Sequence, residues 1–298
     1  MNQAEFYLED LRSKFTKIDP DRYYLAYSGG RDSHFLLWFI REYLKETRIP
    51  AVFSNTGMEI PEIRTRALAN ADVVLKPVMK HAEIKEKFGI PLNTKASDKW
   101  VYDYQRYKAA GTSDEDMKPW IKYYAMRQMD AIEKGRRDGK LSFSVVNTKT
   151  SAAMIAGTLH KVSPLCCTYL KKNPAHIYEK ENKRLPILGV MSVESFLRKT
   201  KYESCFTKGG KFTPLWDLTE ELRNEIEAEF DIPVPGVYRY VNQTGCAGCP
   251  YGQHGKNPFR TTDIELSLCG AGQQRFILDY FGESYKFKNY YFSPMMFL

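Results

Sequence analysis

The segment YYLAYSGGRDSHFLLWFI (residues 23–40) constrains the fold more than any other part of the sequence. One apolar run ends at Ser28, two glycines and three polar residues follow, and a second apolar run begins. The pattern predicts a buried strand, a tight turn and a helix that packs on the strand. Glycines let backbone N–H groups converge without a Cβ clash, and a helix N-terminus adds partial positive charge. The turn at residues 28–33, called the 28–33 turn below, is therefore a candidate anion-binding site.

The same alternation of strand and helix continues along the chain. PAVFSNTG (residues 50–57) predicts a second strand, PEIRTRALANA begins a helix at Pro61, and DVVLKPV (residues 72–78) predicts a third strand. This order implies a parallel sheet with right-handed crossovers. Ligands of such sheets bind outside the carboxyl ends of the strands. We therefore expect the 28–33 turn and the turn at residues 55–62 to face one pocket.

These patterns predict an α/β fold, a parallel sheet with helices on both faces. We expect a core from residues 1–95 and 141–235 that includes the 28–33 turn, with a further strand in RLPILGVMS and a helix capped by Asp217 or Thr219. Residues 96–140 are polar, aromatic and helical in pattern, and predict an insertion or lid. Residues 236–298 form a cysteine-rich and C-terminal segment, in which a last helix begins near Gln273 and ends near Gly282.

Composition limits the class of protein. The 298 residues, 43% of them hydrophobic, can bury a substantial core, and no apolar run approaches 18 residues. The start of the sequence lacks a signal-peptide pattern, so we expect a soluble cytoplasmic protein with no membrane partner. A net charge of +8 is compatible with a polyanionic partner. The alternative is a basic enzyme that acts on small phosphate-bearing substrates.

The side chains of the 28–33 turn suit a phosphate only in part. The hydroxyls of Ser28 and Ser33 can donate to phosphate oxygens, whereas Asp32 would repel them unless it holds Mg²⁺ or orients the turn. The Gly-Lys-Ser/Thr ending of a Walker A loop is missing. An ordinary Gly-Gly connection between a strand and a helix is the alternative to a phosphate site.

Several segments resemble one known family, in order, from about residue 23 to 250. SGGRDS matches the SGGxDS PP-loop of the ATP pyrophosphatase superfamily, whose members bind ATP and cleave its α–β bond. SNTGMEIPE resembles a turn of the phosphoadenosine phosphosulfate (PAPS) reductase family. GIPLNTK, GVMSVESFLR and PLWDLTEE resemble further segments of that family, with Met191 where the family has an arginine. The resemblance implies an adenine nucleotide α-hydrolase-like, PP-loop fold.

The resemblance also implies roles for particular residues. Asp32, Lys95 and Cys269 are the candidate catalytic residues, and Lys95 is expected near a phosphate or sulfate. The substrate would be ATP with Mg²⁺, or adenosine phosphosulfate (APS) or PAPS. The residues expected to bind the nucleotide are Ser28, Gly29, Gly30, Arg31, Asp32, Ser33, Asn55, Thr56, Gly57, Glu194 and Arg198.

Four of the six cysteines are closely spaced in two pairs, Cys166-Cys167 and Cys246-Ala-Gly-Cys249. In a cytosolic protein such spacing indicates a metal site or redox chemistry rather than disulfides. The two pairs resemble the CC…CxxC arrangement of iron–sulfur APS/PAPS reductases, which implies that these four cysteines hold one [4Fe–4S] cluster. A Cys₄ zinc site and buried free thiols are the alternatives.

The remaining two cysteines have different contexts. We predict that Cys205 is a structural thiol. Cys269 begins a Cys-Gly pair, as the nucleophilic cysteine of the reductases does, but the neighbouring residues of the reductase tail are missing and about 29 residues follow it. Cys269 could attack a sulfonyl group, carry a persulfide or be buried.

Three hypotheses about function follow. The intact SGGxDS loop favours an ATP-using adenylyl or sulfur transfer enzyme, because APS/PAPS reductases usually have a degenerate loop. The CC…CxxC pattern favours thiol-dependent reduction of APS or PAPS. A regulatory nucleotide- or nucleic-acid-binding protein without turnover is the third hypothesis. The partners implied are an adenine nucleotide, a tRNA or DNA acceptor, and a sulfur donor or thiol reductant protein.

Basic and aromatic segments bear on the acceptor. The basic runs at residues 134–140 and 180–184, with the aromatic-rich residues 100–124, could form one rim of the pocket. Lysines and arginines would then neutralise phosphates while aromatic rings stack on bases. The alternative is that these segments are ordinary solvated helix faces.

Overall fold

A computed structural model describes residues 2–113, 116, 146–194, 204–253 and 257–295, with only the backbone of Glu194. The chain divides into two compact units. Unit 1 comprises Met1–Pro77 and Lys171–Thr244, and unit 2 comprises Val78–Leu170 and Gly245–Leu298. The predicted divisions at residues 95, 140 and 235 stay predictions. Within the described ranges, no helix is both long enough and apolar enough to cross a membrane.

The helices are numbered in chain order among the described residues. They are α1 (Gln3–Phe15), α2 (Arg31–Trp38), α3 (Pro61–Asn70), α4 (His81–Phe88), α5 (Lys95–Ala109), α6 (Thr148–Ile155), α7 (Asn173–Asn182), α8 (Glu220–Glu229), α9 (Arg260–Ser267), α10 (Ala271–Tyr280) and α11 (Gly282–Lys288). Helix α2 continues as a π-helical turn, Phe39–Tyr43, and another π-helical turn, Thr168–Lys172, precedes α7.

Unit 1 is built on a four-stranded parallel sheet. Its strands are β1 (Tyr23–Ala26), β2 (Ala51–Ser54), β3 (Val73–Leu75) and β4 (Leu185–Ile187), in the spatial order β3-β2-β1-β4. Leu25 of β1 pairs with both Ala51 and Ile187, which makes β1 a central strand. The predicted α/β class with a parallel sheet is therefore confirmed. Its first turn, after β1, lies at the carboxyl edge where such sheets bind ligands.

Neighbouring residues of the strands pack into different apolar clusters. Leu25 and Phe53 join the large core formed with helices α1 and α2, whereas Tyr24 and Val52 pack with Tyr178 of helix α7. Because successive side chains of a strand point to opposite faces, the two clusters cover the two faces of the sheet. Helices therefore lie on both faces, as the sequence predicts.

The start of helix α8 and the end of helix α10 can be compared with the predicted positions. Thr219 caps α8 by accepting a hydrogen bond from the amide of Leu222 at 3.2 Å. The other candidate cap, Asp217, instead accepts hydrogen bonds from the ammonium of Lys14, the shorter at 2.6 Å. The helix predicted from near Gln273 to near Gly282 is α10, Ala271–Tyr280, but it is not the last helix of the described residues, because α11 begins at Gly282.

Unit 2 is helical in its described parts and has its own apolar core. Helix α5 begins with a capping box between Thr94 and Ser97, so the predicted helical segment starts as expected. Residues 114–115 and 117–140 of the predicted insertion lie outside the described residues, and so does the basic run at 134–140. The buried apolar residues packed with α5 are Leu92, Val101, Tyr104, Val146, Met154 and Val162.

Candidate functional site

The 28–33 turn has a backbone that only glycine allows at its second position. Gly29 has a φ of +76°, and a Cβ built on it would lie 2.5 Å from the carbonyl oxygen of Ile63 and 2.9 Å from the Cβ of Ala67. Both the left-handed backbone and the close approach of helix α3 therefore require glycine. Gly30 precedes helix α2 at its N-cap position and offers no side-chain oxygen to cap it.

The two serines of the turn bond to the turn itself. The hydroxyl of Ser33 is buried, donates to the carbonyl of Gly30 at 3.0 Å, and accepts from the amide of Ser28 at 3.2 Å. The hydroxyl of Ser28 lies 3.0 Å from that of Ser33 and accepts from the amide of Gly30 at 3.3 Å. Ser33 therefore fixes the shape of the turn, whereas the exposed Ser28 is accessible to a ligand.

Helix α8 holds the two charged residues of the turn by opposite charges. Arg223 donates to Asp32, and Glu227 accepts from the Nε of Arg31 at 2.7 Å. Arg223 and Glu227 are four residues apart and so lie on one face of the helix. Burial raises the pKa of the Glu227 carboxyl, and hydrogen bonding to Arg31 opposes that rise. The four residues form an alternating set of charges that anchors the turn to α8.

A cavity of about 510 Å³ opens at this turn. Ligand sites for small molecules commonly enclose several hundred Å³, so the space suits a nucleotide phosphate chain. The lining combines the turn with the segments after β4 and α8. Its members are Ala26, Ser28, Gly30, Arg31, Asp32, Ser33, Leu188, Gly189, Val190, Glu220, Arg223, Tyr238, Val241, Asn242, Gln243 and Thr244.

The segment after β4 approaches the turn closely. A Cβ on Gly189 would lie 3.1 Å from the carbonyl group of Asp32 and from the amide nitrogen of Ser33. Met191, at the position where the family pattern has an arginine, is buried, and its sulfur lies 3.8 Å from Nη1 of Arg223. The guanidinium of Arg223 therefore lies beside the position of the missing arginine. Its Nε is buried and has no hydrogen-bond partner among the described residues.

Tyr238 closes another side of the turn. Its hydroxyl accepts a hydrogen bond from the amide of Arg31 at 2.9 Å and lies 3.0 Å from the hydroxyl of Thr244. Burial raises the pKa of Tyr238, with weaker opposing contributions from these hydrogen bonds. A neutral phenol at this position binds an amide of the turn and keeps a polar oxygen at the cavity wall.

A second cavity, of about 300 Å³, lies over one face of the sheet. Its wall includes Tyr24, Val52 and Phe53, with Lys171, Lys172 and Lys211 among its charged members. The two cavities have Ala26, Ser28 and Leu188 in common. An apolar cavity with basic residues therefore adjoins the cavity of the 28–33 turn within unit 1.

The second predicted turn has its own hydrogen bonds. The hydroxyl of Thr56 donates to Glu59 at 2.7 Å, and Asn55 accepts from the amide of Gly57 and from Arg64, both at 3.1 Å. None of the three predicted nucleotide-binding residues of this turn lines either of the two cavities above. Their predicted role in binding a nucleotide stays a prediction.

The other predicted site residues lie elsewhere. Lys95 is the first residue of helix α5 and belongs to unit 2. Glu194 ends the short 3₁₀ helix Ser192–Glu194, and its side chain is outside the described atoms, as is all of Arg198. The predicted contacts of these three residues with a nucleotide also stay predictions.

The loop of Cys246 and Cys249 is a tight turn held by buried groups. The amide of Cys249 donates to the carbonyl of Cys246 at 3.2 Å, and Gly248 has a φ of +67°. The amide of Gly248 donates to the carboxylate of Glu265 at 2.8 Å, and its carbonyl accepts from the hydroxyl of Tyr285. Helices α9 and α11 thus fix the loop from two sides.

The four predicted metal ligands all belong to unit 2, and all are free thiols rather than disulfides. The hydroxyl of Tyr280 donates to the sulfur of Cys166 at 3.6 Å. Burial raises the pKa of Cys249 well above its ordinary value, and the charges of Cys246, Cys167 and Cys166 raise it further. A bound cation would offset the cost of these thiolates, and four sulfur donors are what an iron–sulfur cluster requires.

The described residues can also be compared with the requirements of a site for a single metal ion, such as zinc. Among the described residues, no three histidine, cysteine, aspartate or glutamate side chains converge on a single metal ion. The zinc alternative and the iron–sulfur prediction both remain predictions.

Cys269 and Cys205 have structural contacts. The sulfur of Cys269 is buried and donates to the carbonyl of Glu265 at 3.3 Å, and burial, with the charge of Glu265, raises the pKa of Cys269 to about 12. Cys205 is half-buried and packs against the large core of unit 1. The predicted catalytic role of Cys269 stays a prediction.

Three residues of the turn site have roles that the sequence patterns do not identify: Arg223, Glu227 and Tyr238. One sequence feature could have indicated Arg223 and Glu227. They lie four residues apart on one helix and carry the charges opposite to those of Asp32 and Arg31. Nothing local in the sequence marks Tyr238.

Comparisons with known proteins add no relative. A scan against models of protein families finds no match to this chain, and a search of curated proteins finds no similar sequence.

Proposed function

We propose that the protein binds ATP at the 28–33 turn and uses it to adenylate an acceptor for sulfur transfer, with a [4Fe–4S] cluster held by four cysteines. The cavity at the turn is the observation that carries the proposal. It combines a glycine turn at the carboxyl end of β1, the first turn of helix α2 and the guanidinium of Arg223. These are the groups that stabilise phosphate oxygens.

Arg223 supports the choice of a nucleotide phosphate as ligand. Its Nη1 pairs with Asp32, while its Nε has no partner within the described part of the chain. A buried donor without a partner costs stability, so a bound phosphate oxygen would satisfy it. We infer that Arg223 supplies the cationic contact that Met191 cannot provide.

The two cavities of unit 1 suggest how ATP is oriented. We infer that the adenosine occupies the cavity lined by Tyr24, Val52 and Phe53, and that the phosphates occupy the cavity of the 28–33 turn. Aromatic and aliphatic side chains favour a purine ring, whereas backbone amides favour phosphate. Ser28, which lines both cavities, would lie next to the ribose or the α-phosphate.

The chain's own groups could assist adenylation. The turn holds the phosphates while an oxygen of the acceptor attacks the α-phosphorus and pyrophosphate leaves. Backbone amides, Arg223 and the Mg²⁺ that accompanies ATP would neutralise the developing charge. Asp32 is tied to Arg223, which supports its role in orienting the turn rather than in direct contact with phosphate. Sulfur from the donor would then attack the carbon that carries the adenylated oxygen, the carbon–oxygen bond would break, and AMP would leave.

The donor set of unit 2 fits the proposed cluster. Four thiols come from two chain segments, Cys166-Cys167 and the loop of Cys246 and Cys249. When bound, the cluster would supply a site for electron transfer or for a sulfur ligand. The chain's contribution would be to fix the loop through Gly248 and to donate a hydrogen bond from Tyr280 to Cys166.

The burial of the Cys269 thiol favours ATP chemistry over reduction of APS or PAPS. A reductase of that kind needs a nucleophilic thiolate, and a thiol with a pKa raised to about 12 is protonated at neutral pH. The thiol is also buried against the backbone of helix α9. We therefore place the reductase second and use it as an alternative outcome of the test.

The test is to incubate the anaerobically purified protein separately with ATP, APS and PAPS, and to assay pyrophosphate, AMP and sulfite. ATP-dependent release of pyrophosphate supports the proposal, whereas sulfite from APS or PAPS would replace it with the reductase. Iron and acid-labile sulfide are measured on the same sample, and we expect about four of each per chain. One zinc and no iron would exclude the cluster.

A further inference from the structure

A third cavity, in unit 2, has a polar group that its surroundings leave unsatisfied. The cavity encloses about 410 Å³, and the described residues that line it are Asn93, Thr94, Asn147, Lys149, Gln253, Pro258, Phe259, Phe287 and Lys288. Gln253 is 8% exposed, and neither its amide oxygen nor its amide nitrogen has a hydrogen-bond partner in the described part of the chain. Burying an unpaired amide costs stability, so its position calls for a ligand.

The other polar groups of the cavity differ from Gln253 because local structure uses them. Asn93 donates to the hydroxyl of Thr150 at 2.9 Å, and Asn147 accepts from the amide of Thr150 at 2.9 Å as the cap of helix α6. Thr94 caps helix α5. Gln253 is therefore the amide of this cavity that can give both its donor and its acceptor to a bound molecule.

The charge of the cavity indicates an anionic ligand. Lys149 and Lys288 line it, and its described lining has no aspartate or glutamate. Lys288 donates to the carbonyl of Pro250 at 3.1 Å, and Lys149 donates to the carbonyl of Phe287, whose ring lies 4.7 Å from the ammonium. An ammonium has three N–H donors, so each lysine keeps donors for a phosphate.

Two aromatic rings complete the chemistry. Phe259 and Phe287 line the cavity, and Phe259 is supported by the ring of Tyr290 at 5.0 Å between centroids. A planar ligand that stacks on phenylalanine, pairs with a carboxamide and has a phosphate is a nucleotide. We propose that this cavity binds one nucleotide residue, with its base on Gln253 and its phosphate at Lys149 and Lys288.

The position of the cavity in unit 2 gives the bound nucleotide a role. Gln253 follows Cys249 through the short 3₁₀ helix Pro250–Gly252, and Lys288 bonds to the residue directly after Cys249. A nucleotide in the cavity would therefore lie beside the proposed cluster ligands. That it is the acceptor of sulfur rests on the proposed function, whereas its binding does not.

The experiment measures binding of fluorescent single-stranded RNA and DNA oligonucleotides, and of free mononucleotides, to the full chain by anisotropy and calorimetry. Gln253→Leu keeps the approximate size of the side chain and removes the amide. We expect at least tenfold weaker oligonucleotide binding and an unchanged or higher Tm, because an unpaired buried amide has been removed. Lys149→Gln should weaken binding and flatten its salt dependence. Lys161→Gln, a lysine of unit 2 outside this cavity, is the matched control and should bind as the wild type does.

Two further comparisons make the result decisive. An abasic oligonucleotide of equal length should bind the wild type and Gln253→Leu equally weakly, since it has no base for the amide. The proposal would be overturned if Gln253→Leu lost as much affinity for the abasic strand as for the normal strand. It would also be overturned if Gln253→Leu bound the normal strand as tightly as the wild type does, whatever its Tm. If only mononucleotides bind, and their binding depends on Gln253 in the same way, the ligand of the cavity is a free nucleotide rather than a residue of a strand. Asp32→Ala should leave oligonucleotide binding unchanged. A failure of the proposed ATP site can therefore be told apart from a failure of the proposed nucleotide cavity.

Discussion

Arg223 of helix α8 forms an ion pair with Asp32, the carboxylate of the 28–33 turn. A free carboxylate beside a phosphate site would oppose binding, whereas a paired one helps to hold the turn in place. The side chains are 9% and 24% exposed, so water screens the pair only in part. If the turn binds ATP as proposed, this pair would explain how a turn with an acidic residue accommodates a polyanionic ligand.

The first prediction concerns this pair. Arg223→Gln removes both the partner of Asp32 and the donor expected to contact phosphate, so ATP affinity should fall at least about tenfold, roughly 1.4 kcal/mol. A double-mutant cycle with Asp32→Asn should give a coupling free energy of unfolding of about 1–3 kcal/mol. Calorimetric titration and urea unfolding measure the two quantities. Arg239→Gln, an exposed arginine of unit 1, is the control, and equal ATP affinity in Arg223→Gln and this control would contradict the assignment.

The second prediction concerns the close approach of Gly189 to the turn. Gly189→Ala would place a Cβ 3.1 Å from Asp32 and Ser33, and the resulting shift of a few tenths of an ångström should weaken ATP binding several-fold while the fold is kept. Gly209→Ala is the matched control because a Cβ there meets open space. If both variants bind ATP as the wild type does, the approach has no part in shaping the site.

The third prediction concerns the cysteine loop. Gly248→Ala forces a non-glycine residue to a φ of +67°, and its Cβ would lie 2.7 Å from the hydroxyl of Tyr285. We expect a loss of about 1–3 kcal/mol in stability and a lower iron content per chain. In Gly252→Ala the new methyl group meets nothing within 4 Å, so iron content and stability should stay near wild type. Full iron occupancy in Gly248→Ala would show that the loop tolerates another conformation.

The fourth prediction concerns pH and His34, which lies 3.1 Å from the hydroxyl of Tyr27. Burial, with the charges of Arg66 and Arg41, lowers the pKa of His34 from 6.5 to about 4. Between these values the unfolded chain binds more protons than the folded chain, so stability is present above pH 6.5 and is lost as pH falls toward 4. The contribution is on the order of 1–3 kcal/mol.

The matching measurement is the free energy of unfolding from pH 7 to pH 4 for the wild type, His34→Asn and the control His176→Asn, an exposed histidine. The stability of the wild type relative to His34→Asn should decrease across this window. Curves that stay parallel for these two proteins would show that His34 does not titrate as described.

The sheet and its first turn could be predicted because their signals are local. Two apolar runs around Ser-Gly-Gly indicate a strand and a helix, and the alternation up to residue 78 indicates parallel strands. The left-handed backbone at Gly29 follows from the same segment. These features depend only on residues that are close in sequence, so a sequence pattern is sufficient to predict them.

The partners of the turn could not be predicted, because they come from distant parts of the chain. Arg223 and Tyr238 follow the turn by about two hundred residues, and only the folded chain brings them to Asp32 and Arg31. The unpaired amide of Gln253 could not be predicted either, because only the folded chain shows that its amide atoms have no hydrogen-bond partner among the described residues. The sequence pattern predicts both ends of α10 to within two residues but misses α11, because glycine can also begin a helix.

Equilibrium binding of ATP to the anaerobically purified wild type and to Asp32→Ala tests the central claim most directly. We expect the wild type to bind MgATP, and Asp32→Ala to bind it at least about tenfold more weakly because Arg223 and the turn lose their alignment. A cooperative urea unfolding curve serves as the check that Asp32→Ala is folded. Equal affinity of both proteins for ATP, or no binding of ATP by the folded wild type, would contradict the account.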